Sequence, residues 1–103
     1  MKTKAKILYV DDESGNIRVF RSIFKRFYTV LTAESAKEGI EILRNQSDIQ
    51  LIITDQRMPE MTGVEMLKAI NEEFSNLIRI ILTGYSDIDV IKKYNLPIQL
   101  YYY

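Results

Sequence analysis

Neither cysteine nor histidine occurs anywhere in the 103 residues. Without cysteine there is no disulfide framework and no thiolate metal site, a composition compatible with a reducing compartment. Without histidine as well, a Cys/His zinc centre, a Ser-His-Asp triad and a phosphohistidine carried by this chain are all excluded, and carboxylates become the main candidate chemistry. Net charge is also missing. Fourteen Lys and Arg balance fourteen Asp and Glu, so there is no basic footprint, and direct contact with nucleic acid is not expected. Long apolar runs are lacking too. The run from Ile7 to Val10 follows several lysines but is too short for a signal-peptide core, and it ends on Asp11 and Asp12. No other run approaches the ~18 apolar residues of a membrane span. A cytoplasmic protein without membrane contact is expected.

With 47% hydrophobic and 27% charged residues, the chain has the balance of a single globular domain over residues 1–103. A domain of this size buries roughly 60–70% of its unfolded surface, so its elements must cover one another efficiently. Short apolar runs (KILYV, YTVLT, IQLIIT, IRIIL and a final IQLYYY) alternate with segments of helical period, which argues for a parallel sheet with crossover helices. The first, third and fourth runs carry successive apolar residues, as strands covered on both faces do. YTVLT is more mixed and is placed nearer an edge. Between the runs, Ile17, Phe20, Ile23, Phe24 and Phe27 fall at helical spacing, as do Ala36, Ile40 and Leu43, then Val64, Leu67, Ala69 and Ile70. Ser35 with Glu38, and Thr62 with Glu65, have the spacing of capping boxes. A further helix is expected from Ser86 to about Tyr94, ended by Pro97. There is no Gly/Ser linker and no internal repeat.

Five strands alternating with helices under the right-handed crossover rule suggest a doubly wound α/β sheet, whose ligands sit beyond the carboxyl ends of the strands. Asp11 and Asp12 follow the first strand, Asp55 the third, and Thr83 and Gly84 the fourth. Each acid alone reads as a solvated loop residue, but three at corresponding ends form a cluster that repels itself unless a cation offsets it. Magnesium, a hard ion with oxygen ligands, suits such a cluster. Beside it a carboxylate can act as a nucleophile toward phosphorus. Asp55 stands alone on the central strand and is the best nucleophile candidate, while the adjacent Asp11 and Asp12 suit the metal.

The segments ILYVDDE, TDQRMPEMTG and ILTGYSD resemble, in order and spacing, the signature regions of response-regulator receiver domains of two-component signalling. The likeness is good from residue 5 to about 90 and poor beyond. It implies a flavodoxin-like five-stranded sheet in the order 2-1-3-4-5, with Asp55 as phosphoacceptor. It also implies Asp12 as a direct Mg2+ ligand, Asp11 acting largely through water, and the Arg57 main-chain carbonyl as the other protein ligand. Thr83 would be the hydroxyl that turns to the acyl phosphate, with the Gly84 N–H in reach. Pro59 and Gly63 match positions shaping the loop after the acceptor, where proline favours extended geometry at Met58 and glycine permits a tight backbone approach. The implied partner is a histidine kinase or phosphotransfer protein, and the implied activity is at most self-phosphorylation and self-dephosphorylation.

Three departures qualify the likeness. The family's lysine at the end of the fifth strand, the proline after it and a fifth helix are not found. The lysine would stabilise charge during transfer, and Lys92 and Lys93 in the preceding helix read as a solvated face. With IQLYYY as the fifth strand, Tyr101 aligns with the family's switch aromatic. Without a fifth helix, apolar sheet surface beside the first helix would be bared, which predicts self-association through that face. Two function classes follow: a phosphorylatable switch, or a receiver-like interaction module that no longer transfers phosphoryl groups. A haloacid-dehalogenase-type phosphohydrolase fits poorly, because its Asp-x-Asp motif is absent after the first strand.

Overall fold

The computed structural model describes residues 4–102. Its elements run β1 (Ala5–Val10), α1 (Ser14–Phe24), β2 (Tyr28–Ala33), α2 (Ala36–Asn45), β3 (Ile49–Asp55), α3 (Gly63–Ile70), β4 (Ile78–Thr83), a 3-10 turn (Tyr85–Asp87), α4 (Ile88–Lys92) and β5 (Gln99–Tyr102). All five strands are parallel, in the order β2-β1-β3-β4-β5. The mixed YTVLT segment forms the edge strand β2, as expected. Tyr103, the last residue of the tyrosine triplet, lies outside the described residues.

Parallel pairing puts residues in register on the same face. Leu8, Val10, Ile52 and Ile81 point to the side occupied by α2, α3 and α4, where they pack with Ala36, Leu43, Val64, Met66, Leu67, Ile70 and Ile91 into one core. Gly39 lets α2 approach this face closely: an added Cβ would sit 3.0 Å from Val10 Cγ2. In α3 the buried position falls to Met66, whereas Ala69, which shares the helical spacing, is exposed. On the opposite face α1 lies over β1 and β2, with Phe20 stacked flat on Tyr9 at 4.1 Å between ring centroids.

That second face departs from the reading of β3 and β4 as covered on both sides, and shows the bared apolar surface expected beside the first helix. Ile7–Val10 of β1 is buried throughout, but in β3 and β4 residues buried on the α3 side alternate with partly exposed ones on the α1 side. Among the described residues α1 is the only helix there and does not extend over β4, so Ile78 keeps 57% of its surface exposed and Tyr101 keeps 55%. Phe27 shares the periodicity of α1 but falls after its last turn, and it is exposed.

The helix starts follow the capping logic with one difference. At Thr62 the box is reciprocal: the Glu65 N–H donates to Thr62 Oγ1 and the Thr62 N–H to Glu65 Oε1. At Ser35 the hydroxyl accepts from the Glu38 N–H, while the Glu38 carboxylate accepts from the N–H of Glu34, one residue earlier. The helix expected from Ser86 divides into the 3-10 turn and α4, and the chain leaves it through Asn95, whose φ of 53° lies in the left-handed region.

Candidate functional site

β1, β3 and β4 are neighbours, so their carboxyl ends lie side by side, next to the point where strand order reverses between β1 and β3. One oxygen each from Asp11, Asp12 and Asp55 lies within 4.8 Å of the others. The three acids picked out from the sequence are therefore brought together. Asp11 and Asp55 border an open cleft of about 370 Å³, lined also by Tyr9, Glu13, Asn16 and Leu82. No cationic side chain is in that lining.

Asp11 is almost fully buried and tightly oriented. Its Oδ2 accepts from the Tyr9 hydroxyl at 2.7 Å and from Asn16 Nδ2 at 3.1 Å, and its Oδ1 accepts from the Glu13 N–H at 2.9 Å. Asp12 is exposed. The different burial of these adjacent acids follows from where the strand ends: Asp11 continues the sheet by donating its N–H to the Ala33 carbonyl, and Asp12 begins the loop. Tyr9 and Asn16, which fix Asp11, escaped the sequence reading. Tyr9 looks there like an ordinary strand residue and Asn16 like an exposed helix residue.

Asp55 is half-buried, and its Oδ1 accepts from the Gln56 N–H at 2.9 Å. Behind it the loop is anchored by Gln56, also missed in the sequence. The Gln56 side chain is buried, with Oε1 accepting from the Val64 N–H at 2.9 Å, and its carbonyl accepts from the Gly63 N–H at 3.0 Å. The start of α3 is thereby pulled against the end of β3. A Cβ on Gly63 would stand 2.4 Å from the Asp55 carbonyl oxygen and 3.0 Å from Thr54 Cγ2. Its φ is not positive, so glycine is needed here for space rather than for backbone freedom. Between them, Pro59, Glu60 and Met61 form a γ-turn: the Met61 N–H donates to the Pro59 carbonyl at 2.8 Å, and Glu60 has φ 70°.

Thr83 is buried at the end of β4, its hydroxyl donating to the Gly84 carbonyl at 3.1 Å. In β5 the register pairs Thr83 with Tyr102 and Leu82 with Tyr101. Tyr101 thus lies on the sheet face of Leu82 and Asp55, whereas Tyr102 is the strand neighbour of Thr83 and stacks on Tyr85 at 5.0 Å. Lys92 and Lys93 are exposed at the end of α4.

The Arg57 side chain makes a connection that the sequence did not foreshadow. Its Nε donates to Asp87 Oδ2 at 2.8 Å, and its Nη2 donates to Asp87 Oδ1 at 3.1 Å and to Ser86 Oγ at 3.2 Å. The loop after the acidic strand end is thereby joined to the turn after Thr83. The guanidinium's hydrogen bonds hold the Asp87 carboxyl below the usual carboxylate range.

Comparison with known proteins agrees with this geometry. The family model described as "Response regulator receiver domain" matches residues 7–96. The hydrogenase transcriptional regulatory protein HoxA of Cupriavidus necator is 39% identical over 88 residues, covering 85% of this chain and 18% of that protein. The transcriptional regulatory protein GlrR of Escherichia coli is 35% identical over 85 residues, covering 82% of this chain and 19% of that protein. The chain therefore spans less than a fifth of the length of these two regulators. Among solved structures, a response regulator receiver domain protein from Clostridium thermocellum superposes with a TM-score of 0.87 at 31% identity, covering 95% of this chain and 81% of that one. Sheet order, the acids at the strand ends and these relatives agree: the chain belongs to the response-regulator receiver domain family.

Proposed function

We propose that Asp55 accepts a phosphoryl group from the phosphohistidine of a partner kinase or phosphotransfer protein, and that Mg2+ is held by Asp11, Asp12, Asp55 and the Arg57 main-chain carbonyl. The observation that carries this reading is the convergence of three carboxylates, two of which line an open cleft that has no cationic side chain in its lining. Oxygen donors alone, crowded to this degree, fit a hard divalent ion. When bound, the ion would offset most of the cluster's negative charge and would draw charge from the phosphoryl oxygens. An Asp55 carboxylate oxygen forms the new bond to phosphorus as the phosphorus–nitrogen bond of the donor breaks, and the imidazole leaves with that electron pair. The Gln56 N–H, already bonded to Asp55 Oδ1, holds the attacking carboxylate in place. Thr83 exchanges its bond to the Gly84 carbonyl for one to a phosphoryl oxygen, which the Gly84 N–H also meets.

The reading extends to a single receiver unit over residues 1–103 acting in the cytoplasm without direct nucleic-acid contact. The described residues contain no helix long and apolar enough to cross a membrane. The open sheet face bearing Ile78 and Tyr101 supports pairing with a second copy, which Ile78→Lys should weaken in sedimentation equilibrium.

Phosphorylation by acetyl phosphate with Mg2+, read by intact mass beside an Asp55→Asn control, tests the function. One added phosphoryl group that the control lacks is the expected result. No adduct, with metal binding verified separately, would overturn the acceptor reading and leave a receiver-like interaction module.

A further inference from the structure

We infer that the Tyr9 hydroxyl sets the ion preference of the acidic site: with Asn16 it holds Asp11 as a carboxylate with one open contact, which favours Mg2+ over Ca2+. This rests on the metal reading above and goes beyond it, because Tyr9 and Asn16 are not among the residues proposed there to hold the ion.

Three observations carry the inference. The first is reach. Tyr9 stands two residues before Asp11, which continues β1 through its bond to Ala33, so both side chains leave the sheet on one face. A phenol spans that gap, and its O–H donates to Asp11 Oδ2 at 2.7 Å. An aliphatic side chain or phenylalanine in its place would leave that oxygen one donor short. The second is immobility. Tyr9 is 5% and Asp11 3% exposed, and the Tyr9 ring lies flat on Phe20, with 4.1 Å between centroids and 3° between planes. Burial denies the hydroxyl bulk water, and the stack fixes the ring. The third is the acceptor capacity of Asp11. Its Oδ2 takes both Tyr9 and Asn16 Nδ2, and its Oδ1 takes the Glu13 N–H. A carboxylate has about four acceptor sites, two on each oxygen, so about one is left open, on Oδ1.

That remainder separates the two ions. Mg2+ keeps several waters and asks little of each carboxylate, whereas Ca2+ takes about six to eight oxygens and often both oxygens of one carboxylate. With Oδ2 filled by protein donors, Asp11 cannot offer both. It serves one contact, direct or through water, and Ca2+ is denied an oxygen that Mg2+ does not need. The Glu13 N–H comes with the loop backbone, but both donors on Oδ2 are side chains, so the preference is encoded at positions 9 and 16.

The test uses Tyr9→Phe, Asn16→Ala and the double variant in the full chain. Phenylalanine keeps the ring on Phe20 and removes only the hydroxyl, and Asn16 is exposed, so urea unfolding without added ion should show each single variant folded. Dissociation constants for Mg2+ and Ca2+, each added alone as the chloride, are read from the rise in thermal midpoint with ion concentration. The unsubstituted chain should bind Mg2+ the more tightly. Tyr9→Phe should shrink the ratio of the Ca2+ to the Mg2+ constant by about fivefold, the worth of one ordinary hydrogen bond. Asn16→Ala should move the ratio the same way without touching the core, and the double variant should move it further. The ratio is the decisive readout, because a purely structural role for Tyr9 would weaken both ions together and leave it unchanged. An unchanged ratio in either single variant, or Ca2+ bound as tightly as Mg2+ by the unsubstituted chain, would overturn the inference while the metal reading stands. Failure of the unsubstituted chain to bind either ion would remove both.

Discussion

Replacing Gly63 with alanine places a methyl group where the protein has only backbone. The new Cβ would lie 2.4 Å from the Asp55 carbonyl oxygen and 3.0 Å from Thr54 Cγ2. The first neighbour belongs to the end of a central strand, so no side-chain rotation relieves the contact. The start of α3 must move off β3, which strains the Gly63 N–H bond to the Gln56 carbonyl and the Val64 N–H bond to Gln56 Oε1. Overpacking in a filled site costs about 1–3 kcal/mol, and each hydrogen bond lost adds about 1 kcal/mol. A destabilisation of about 3 kcal/mol is expected, a large share of the ~5–15 kcal/mol typical of a domain. Gly15 provides the control. It lies within α1 with nothing within 4 Å of an added Cβ, so Gly15→Ala should stabilise by about 0.5–1 kcal/mol through helix propensity. Urea unfolding of both variants and the unsubstituted chain measures the difference at equal slope. If Gly63→Ala fell within about 0.5 kcal/mol of the unsubstituted chain, the range of ordinary surface substitutions, the close-approach argument would be wrong. The same variant should slow phosphorylation, because the displaced loop carries the Arg57 carbonyl and abuts Asp55.

Three further outcomes are expected. Arg79 is 4% exposed and donates to the carbonyls of Leu77, Asn71 and Phe74 near the end of α3, so Arg79→Ala should cost about 3 kcal/mol in denaturant unfolding. Arg79→Met should cost less, because it fills the volume and buries no charge; equal losses would show that the carbonyl bonds alone matter. For the Arg57–Asp87 pair, the folded Asp87 value is depressed, so its stabilising contribution is present above the ordinary carboxylate value of about 4 and is lost as pH falls through the lowered one. An NMR titration should find Asp87 still ionised where exposed aspartates are half protonated, and an ordinary midpoint would contradict the bidentate geometry. Finally, Mg2+ at ten times its dissociation constant should stabilise the fold by about 1.4 kcal/mol by mass action. In Asp12→Asn that stabilisation should need more ion, with an unchanged midpoint at every Mg2+ concentration as the refuting result.

The architecture was legible in the sequence because its signals are local. Five apolar runs separated by helical periods, with hydroxyl caps at Ser35 and Thr62, define the elements, and chirality restricts how parallel strands connect. Asp11, Asp12, Asp55, Thr83 and Gly84 could be nominated because a doubly wound sheet aims its strand ends at one place. Other features depend on contacts between residues far apart in the chain. The pairing of Arg57 with Asp87 joins two loops, and the role of Gln56 depends on where α3 starts. The partial exposure of β3 and β4 depends on how far α1 reaches across the sheet. Tyr101 and Tyr102 look alike in sequence, but a one-residue difference along a strand reverses the face, and only the β4–β5 register puts Tyr102 beside Thr83. Local periodicity thus determined which segments become strands and helices and which acids end them. Tertiary packing decided which side chains orient those acids, because hydrogen bonds between loops are set by the relative placement of elements that no local pattern encodes.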